Sequence, residues 1–462
     1  MKKKLCALAL ALVTAFACTP LTACGGGDDS HTITFYHTMG SNLRDVLDAY
    51  IAEFKVMYPE WTIKHEQIGN YDDVRDKISD QLTVGKQPDM AYCYPDHVAL
   101  YNIAGAVKPL DEYINSTEVI TRADGTTETV GLTQAQIDDF IPGYYEEGRQ
   151  FGDGKMYTMP FSKSTEVLYY NKTFFDENNL KVPTTWDEME TVCQQIIDLD
   201  PNKGTDKKTY LPLGYDSEAN WFITMTEQLG TPYTSTNDPY YLFDNAENKA
   251  FVRRFANWYT KGYVTTQEIY GKYTSGLFIS TTGAQSFMSI GSSAGATHQR
   301  PNKVDGEYPF EVGIATIPQA NPENPKVISQ GPSVCIFKNK NTEKEKMCWL
   351  FLKYLTTSVA FQAEFSSASG YVPVLKSVAD FPAYKAKLDM ADGGDNIAFL
   401  SAKVCMEQAD AYYTSPAFPG SSKARDEVGS LLQKLLVSKN IDADIDAAFS
   451  DAVNACKYQY NG

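Results

Sequence analysis

Five residues, Gly291-Ser292-Ser293-Ala294-Gly295, reproduce the G-x-S-x-G spacing in which a serine on a sharp turn becomes an exposed nucleophile, here Ser293. In α/β hydrolases an acid and then a histidine base follow that serine in the chain. The histidines are His31, His37, His65, His97 and His298, so only His298 lies downstream, five residues along, with no room for an intervening acid. The spacing therefore argues against a secreted serine hydrolase. What remains is a run of small residues after the apolar stretch Phe287 to Ile290, whose backbone can aim amides at an anion. Arg425 offers a second anion-binding group. Gly420-Ser421-Ser422 reads as a helix start and places Lys423 and Arg425 in the first turn. Cations there oppose the helix dipole, at a cost of ~0.3–1 kcal/mol each. An anion held between the unpaired amides and a bidentate guanidinium would reverse the penalty, whereas the ordinary alternative is a solvated Arg425 pairing with Asp426 or Asp410.

Metal chemistry has less support. Asp198-Leu199-Asp200-Pro201-Asn202 opens like a calcium loop, but Lys203 stands where glycine is required and Thr209 where the closing glutamate belongs, so a polar loop is expected. Neither G-x-x-x-x-G-K-[ST] nor H-E-x-x-H occurs, and no cofactor is implied.

The elements that must position these groups alternate. Thr32 to Tyr36 reads as a strand, Leu43 to Tyr58 as a helix stopped by Pro59, Trp61 to Gln67 as a strand and Asp72 to Val84 as a helix. Met90 to Tyr94 and Asp96 to Ala104 continue the strand-then-helix text, which predicts an α/β architecture with a largely parallel sheet. Ligands of open α/β sheets sit beyond the carboxyl ends of strands, so the turns after Tyr36, Gln67 and Tyr94 are candidate binding positions. A loop-rich stretch from Ala106 to Gln150 holds a turn at Asp124-Gly125. Helical periodicity then marks Thr185 to Leu199, Asn248 to Lys261, Glu343 to Thr356 and Val428 to Leu436. Strand text returns at Phe310 to Ala315 and Ser333 to Phe337, so the chain is expected to pass between two lobes more than once.

The amino terminus carries Lys2, Lys3 and Lys4, an apolar run from Leu5 to Ala17, and Leu21-Thr22-Ala23-Cys24. That is the pattern of an export signal ending in a lipobox, with Cys24 the lipidated residue and Gly25 to Ser30 a tether. The apolar run is shorter than the roughly 20 residues of a bilayer span, so attachment would be through acyl chains. Cleavage after residue 23 would leave 439 residues and deepen the net charge from −17 to −20, which disfavours nucleic acid and anionic membranes as partners. Cys93, Cys193, Cys335, Cys348, Cys405 and Cys456 show no metal-ligand spacing and read as buried free thiols. Thirty tyrosines suit a polar ligand, because each offers a flat apolar face and a hydroxyl.

Several runs resemble the large extracellular solute-binding proteins of ABC importers. They are Gly154 to Phe174, Pro183-Thr184-Thr185-Trp186-Asp187-Glu188, the helix ending Phe351-Leu352-Lys353-Tyr354-Leu355-Thr356, and Gly370-Tyr371-Val372-Pro373-Val374. Within that family the likeness is to members that bind glycerol 3-phosphate. The resemblance implies ligand roles for Tyr71, Ser164, Trp186, Ser292, the amide of Gly331, Tyr371 and Arg425. Where such members carry a glutamate after the third strand, this chain has Tyr94-Pro95-Asp96, so the carboxylate is either absent or shifted to Asp96. Trp186 has two open roles, stacking on ligand or packing into the core. Tyr36, Tyr94, Trp221 and Trp258 are further aromatic candidates, for which core packing is the simpler expectation.

The resulting expectation is a monomeric, non-enzymatic binding protein with a two-lobed α/β fold of the periplasmic-binding type. Lobe one would hold residues 31–160 and 311–355, lobe two residues 161–310 and 356–462, with hinge crossings and a ligand cleft between them. Ser292, Gly331, Tyr371 and Arg425 would hold a phosphate, and Tyr71, Asp96, Ser164 and Trp186 a glycerol-like end, for delivery to ABC permease subunits. A neutral oligosaccharide stacked on aromatics is the alternative ligand.

Overall fold

The computed structural model describes residues 29–203 and 209–460; the segment carrying the signal and Cys24 lies outside these residues. Two mixed five-stranded sheets organise the chain. The first runs, in spatial order, Thr62–Gln67, Thr32–His37, Met90–Cys93, Ser333–Ile336 and Thr158–Pro160. Its first three strands are parallel and the last two antiparallel to their neighbours. Strict alternation buries Ile33, Phe35 and His37, while the central strand Met90–Cys93 is buried along its whole length. Helix Ser41–Met57 covers one face because Leu43, Leu47, Tyr50 and Phe54 recur at helical spacing and bury together.

The second sheet runs Val312–Ala315, Glu166–Asn171, Gln285–Ser292, Tyr210–Tyr215 and Val264–Thr266. Helices Trp186–Leu199, Glu218–Leu229 and Ala246–Lys261 pack an aromatic core against it, with Trp221 stacked 4.0 Å from Phe255 and 4.8 Å from Tyr215.

Two segments sit on the other side of the expected lobe boundaries. Val312–Ala315 was assigned to lobe one, yet it pairs antiparallel with Glu166–Asn171 in the second sheet. Helix Val359–Ser369 falls in the expected lobe two, but its Phe361 packs edge-on against Tyr50 of the first lobe.

The chain leaves the first sheet at Pro160, enters the second at Glu166, and returns from Ala315 to the first at Ser333. These crossings lie side by side with Tyr371–Val374. Lys163 and Val372 exchange backbone hydrogen bonds at 3.1 and 2.6 Å, and Ser164 and Gln330 do so at 2.9 and 2.8 Å. Such close approach needs glycine at 331: its φ is +85°, and a β-carbon there would meet the Ser162 carbonyl oxygen at 2.6 Å. A buried ion pair locks the crossings, with Lys163 Nζ 2.5 Å from Glu147 Oε1 and also bonded to Ser333 Oγ and the Gly331 carbonyl. Ser329 and Thr414 hydroxyls donate to the other Glu147 oxygen. Every lone pair and proton of the pair is thus used, as a buried pair requires.

Candidate functional site

Between the lobes lies a cavity of about 610 Å³. The first lobe contributes Asn70, Tyr71, Asp72 and the turn Tyr94 to His97. The second contributes Ile223, Tyr233, Tyr273 and the start of helix Ser421–Leu436, while Ile328 to Gln330 and Thr414 to Ala417 complete the lining.

Each first-lobe group is placed by local sequence. Asn70 caps helix Tyr71–Leu82 by accepting the Asp73 amide at 3.0 Å, and the Asp73 carboxylate accepts the Asn70 amide at 2.8 Å, which sets Tyr71 at the first helical position. Its ring lies 4.7 Å from that of Tyr94, and its hydroxyl oxygen is 3.3 Å from that of Tyr371. Burial pushes the phenols of Tyr71, Tyr94 and Tyr371 up, so all three stay protonated donors at neutral pH. Asp96 accepts the His97 amide at 3.0 Å at the start of helix Pro95–Tyr101. Burial holds His97 below the usual imidazole range, which favours the neutral ring.

On the second lobe, Gly420 precedes helix Ser421–Leu436 without a side-chain cap, and Ser421, Ser422, Arg425 and Asp426 face the cavity. Lys423 pairs with Glu427, one turn along. Arg425 makes no ion pair among the described residues and donates to the side-chain oxygen of Asn220 instead, so it contacts neither Asp426 nor Asp410 directly. Asn220 donates to Glu166 Oε1 at 2.9 Å, and Tyr215 donates to Oε2 at 2.7 Å. Burial raises the Glu166 carboxyl to about 7. Asp426 is also raised, first by burial and then by Asp72 across the cleft. Taken together, the lining presents the carboxylates Asp72, Asp96 and Asp426 against the single cation Arg425.

Of the sequence-derived candidates, Tyr71, Asp96 and Arg425 line the cavity, and Tyr371 joins them through its hydroxyl. Ser164 is buried in the crossing segment, and Gly331 is packed against that segment with its carbonyl accepting from Lys163. Ser292 is exposed at the end of its strand, outside the lining; its carbonyl accepts from Tyr169. Trp186 belongs to the core. Its ring is 2% exposed, its Nε1 donates to Gln228 at 2.7 Å, and Trp221, Phe255 and Trp258 surround it. Among the other aromatics Tyr94 reaches the cavity, whereas Trp221 and Trp258 are core and Tyr36 lies under Lys77. The Ser293 hydroxyl oxygen accepts the Thr165 amide at 3.1 Å beside the crossing.

Sequence reasoning missed Tyr233, Tyr273, Gln330 and Asn220. Asn220 was within reach, because it opens the helix that follows strand Tyr210–Tyr215, and the carboxyl-end rule applied to the second lobe points there. Tyr233 and Gln330 sit in irregular segments that carry no periodic signal.

The chain matches the model for bacterial extracellular solute-binding proteins over residues 49–392. It is similar to the sn-glycerol-3-phosphate-binding periplasmic protein UgpB of Escherichia coli strain K12, at 23% identity over 392 residues, covering 81% of each chain. Among solved structures it is similar to UgpB from Mycobacterium tuberculosis in complex with glycerophosphocholine (TM-score 0.70, 18% identity, 95% of this chain and 99% of that one). It is equally similar to the sugar-binding protein MalE from Xanthomonas citri (TM-score 0.72, 17% identity, 93% and 98%). These likenesses fit the two sheets, the side-by-side crossings and the interlobe cavity. The chain belongs to the bacterial extracellular solute-binding protein family.

Proposed function

We propose that this protein captures glycerol 3-phosphate or a glycerophosphodiester in the interlobe cleft and delivers it to the permease of an ABC importer, with no covalent change to the ligand. The observation that carries this reading is Arg425, a cation with no carboxylate partner among the described residues, beside a helix start that lacks a side-chain cap. A helix start and a guanidinium together suit a phosphate. Tyr71 and Asp96 supply a hydroxyl and a carboxylate for a polyol end, and Tyr371, expected beside the phosphate, sits with its hydroxyl against that of Tyr71. Contacts from both lobes to one ligand favour the closed arrangement, which is the shape a permease recognises. Ligand roles for Ser164, Ser292 and Gly331 would require the cleft to extend toward the crossings in the liganded state. The lobe division, a monomeric state, and attachment to the outer face of the membrane through lipidated Cys24 complete the proposal; among the described residues no helix is long and apolar enough to cross a membrane.

A neutral oligosaccharide is the second reading, and the lining favours it in one respect. Three carboxylates oppose one arginine, and Tyr71, Tyr94, Tyr233 and Tyr273 offer stacking faces. A thermal-shift screen separates the two. A ligand at ~100 times its dissociation constant stabilises by about 2.7 kcal/mol. Glycerol 3-phosphate and glycerophosphocholine are expected to raise the melting temperature; a response to maltose-type sugars alone removes the phosphate reading.

A further inference from the structure

Arg75, Arg122, Arg149, Arg253, Arg254 and Arg300 pair with carboxylates in this acidic chain, and Arg44, away from the cavity, donates to Gln67 Oε1 and the Met39 carbonyl. Arg425 is held differently. Its Nη2 donates to Asn220 Oδ1, and the same oxygen accepts Gln330 Nε2 at 3.3 Å. Asn220 Nδ2 faces the Glu166 carboxylate. Two donors on one side and the Glu166 carboxyl oxygen on the other fix which way the amide points, because the flipped amide would set its NH2 against the guanidinium. Asn220 and Glu166 are 3% and 2% exposed, so water does not substitute for these bonds.

We infer that Asn220 is a positioning residue for Arg425: it steers the guanidinium into the cavity while leaving it without a direct carboxylate contact and so open to an anionic ligand group. The inference rests on the anion reading above. An aspartate at this position would orient Arg425 equally well but would also neutralise it. A neutral carbonyl orients without cancelling, and Glu166 polarises that carbonyl from behind. Gln330 adds a reference point. Its backbone is paired with Ser164 in the crossing, so Asn220 registers the arginine against the hinge as well as against its own helix.

The test uses the full chain, with Asn220→Ala and Asn220→Asp compared with wild type. Calorimetry measures glycerol 3-phosphate binding at several salt concentrations, and the ligand-free melting temperature controls for folding. Asn220→Ala is expected to weaken binding by about 10- to 100-fold, the range set by one hydrogen bond to a charged group. Asn220→Asp is expected to weaken it at least as much and to flatten the salt dependence, since the guanidinium is then paired internally. A purely structural role would lower the melting temperature and leave the salt slope of the residual binding unchanged. Wild-type affinity and slope in a folded Asn220→Asp protein would overturn the inference. Absence of glycerol 3-phosphate binding in wild type would instead remove the parent reading, and this one with it.

Discussion

On the first-lobe wall of the cleft, Tyr71 and Tyr94 pack their rings 4.7 Å apart, and the hydroxyl of Tyr71 meets that of Tyr371. On the second-lobe wall the uncapped helix start carries Arg425, braced through Asn220 onto buried Glu166. The first wall offers flat faces, protonated hydroxyls and the carboxylates Asp72 and Asp96, and under the proposed function it would discriminate by shape and hydrogen bonding. The second offers the only cation of the lining, and under the proposed function it would discriminate by charge. On the proposed reading, affinity for a polyol or sugar moiety and selectivity for an anion would be properties of opposite lobes, joined only when the lobes share one ligand.

The joint itself supplies the largest expected effect. Lys163 and Glu147 are buried where the crossings meet, and Lys163→Met leaves the Glu147 charge without its partner. Breaking such a pair costs about 3–5 kcal/mol. Urea denaturation should show that loss, and a loss under about 1 kcal/mol would mean that the pair does not hold the two walls in register.

Glu166 gives the next effect, confined to the second wall. Its carboxyl is raised by burial to about 7, above its ordinary value of 4.5. A raised carboxyl contributes stability that is fully present below about pH 4.5 and is lost as pH rises through 7. The shift corresponds to something on the order of 3 kcal/mol at 1.36 kcal/mol per unit. The Glu166→Gln protein keeps a carbonyl to accept from Asn220 and an amide to donate to Tyr215. Its melting temperature should therefore vary less than that of wild type between pH 5 and 8; parallel curves would place the titration elsewhere.

The two walls also differ in how much of them could be read from residues alone. Strand-then-helix punctuation located the first wall, because Tyr71 and Asp96 follow Gln67 and Cys93 at the carboxyl ends of parallel strands. Helix-start chemistry at Gly420-Ser421-Ser422 left Arg425 open between an anion and an ordinary pair with Asp426 or Asp410, and the resemblance singled it out. The brace behind it was not legible, since Asn220, Glu166 and Gln330 come from three elements separated by long stretches of chain, and only folding brings them together. Trp186 shows the opposite failure. A tryptophan at a helix start reads equally well as a stacking platform or as core, and the choice was made by Gln228, which accepts its Nε1 proton inside the second lobe. The misplaced boundary segments have a similar cause: Val312–Ala315 is apolar text that suits either sheet, and pairing with Glu166–Asn171 decides it.

The smaller effects test whether the walls act independently. Arg425→Ala should weaken glycerol 3-phosphate by about 2–3 kcal/mol, the loss of a charge-assisted hydrogen-bond partner, while binding of a neutral sugar or polyol, where measurable, stays unchanged. Tyr71→Phe keeps the ring beside Tyr94 and removes only the hydroxyl near Tyr371, so ~1 kcal/mol is expected for charged and neutral ligands alike. Because the two residues share no hydrogen-bond partner, their effects on glycerol 3-phosphate affinity should add to within about 0.5 kcal/mol in the double variant. A larger coupling would mean that the tyrosine hydroxyl and the arginine grip the same ligand atoms, and the division of labour between the walls would then give way to a single shared subsite.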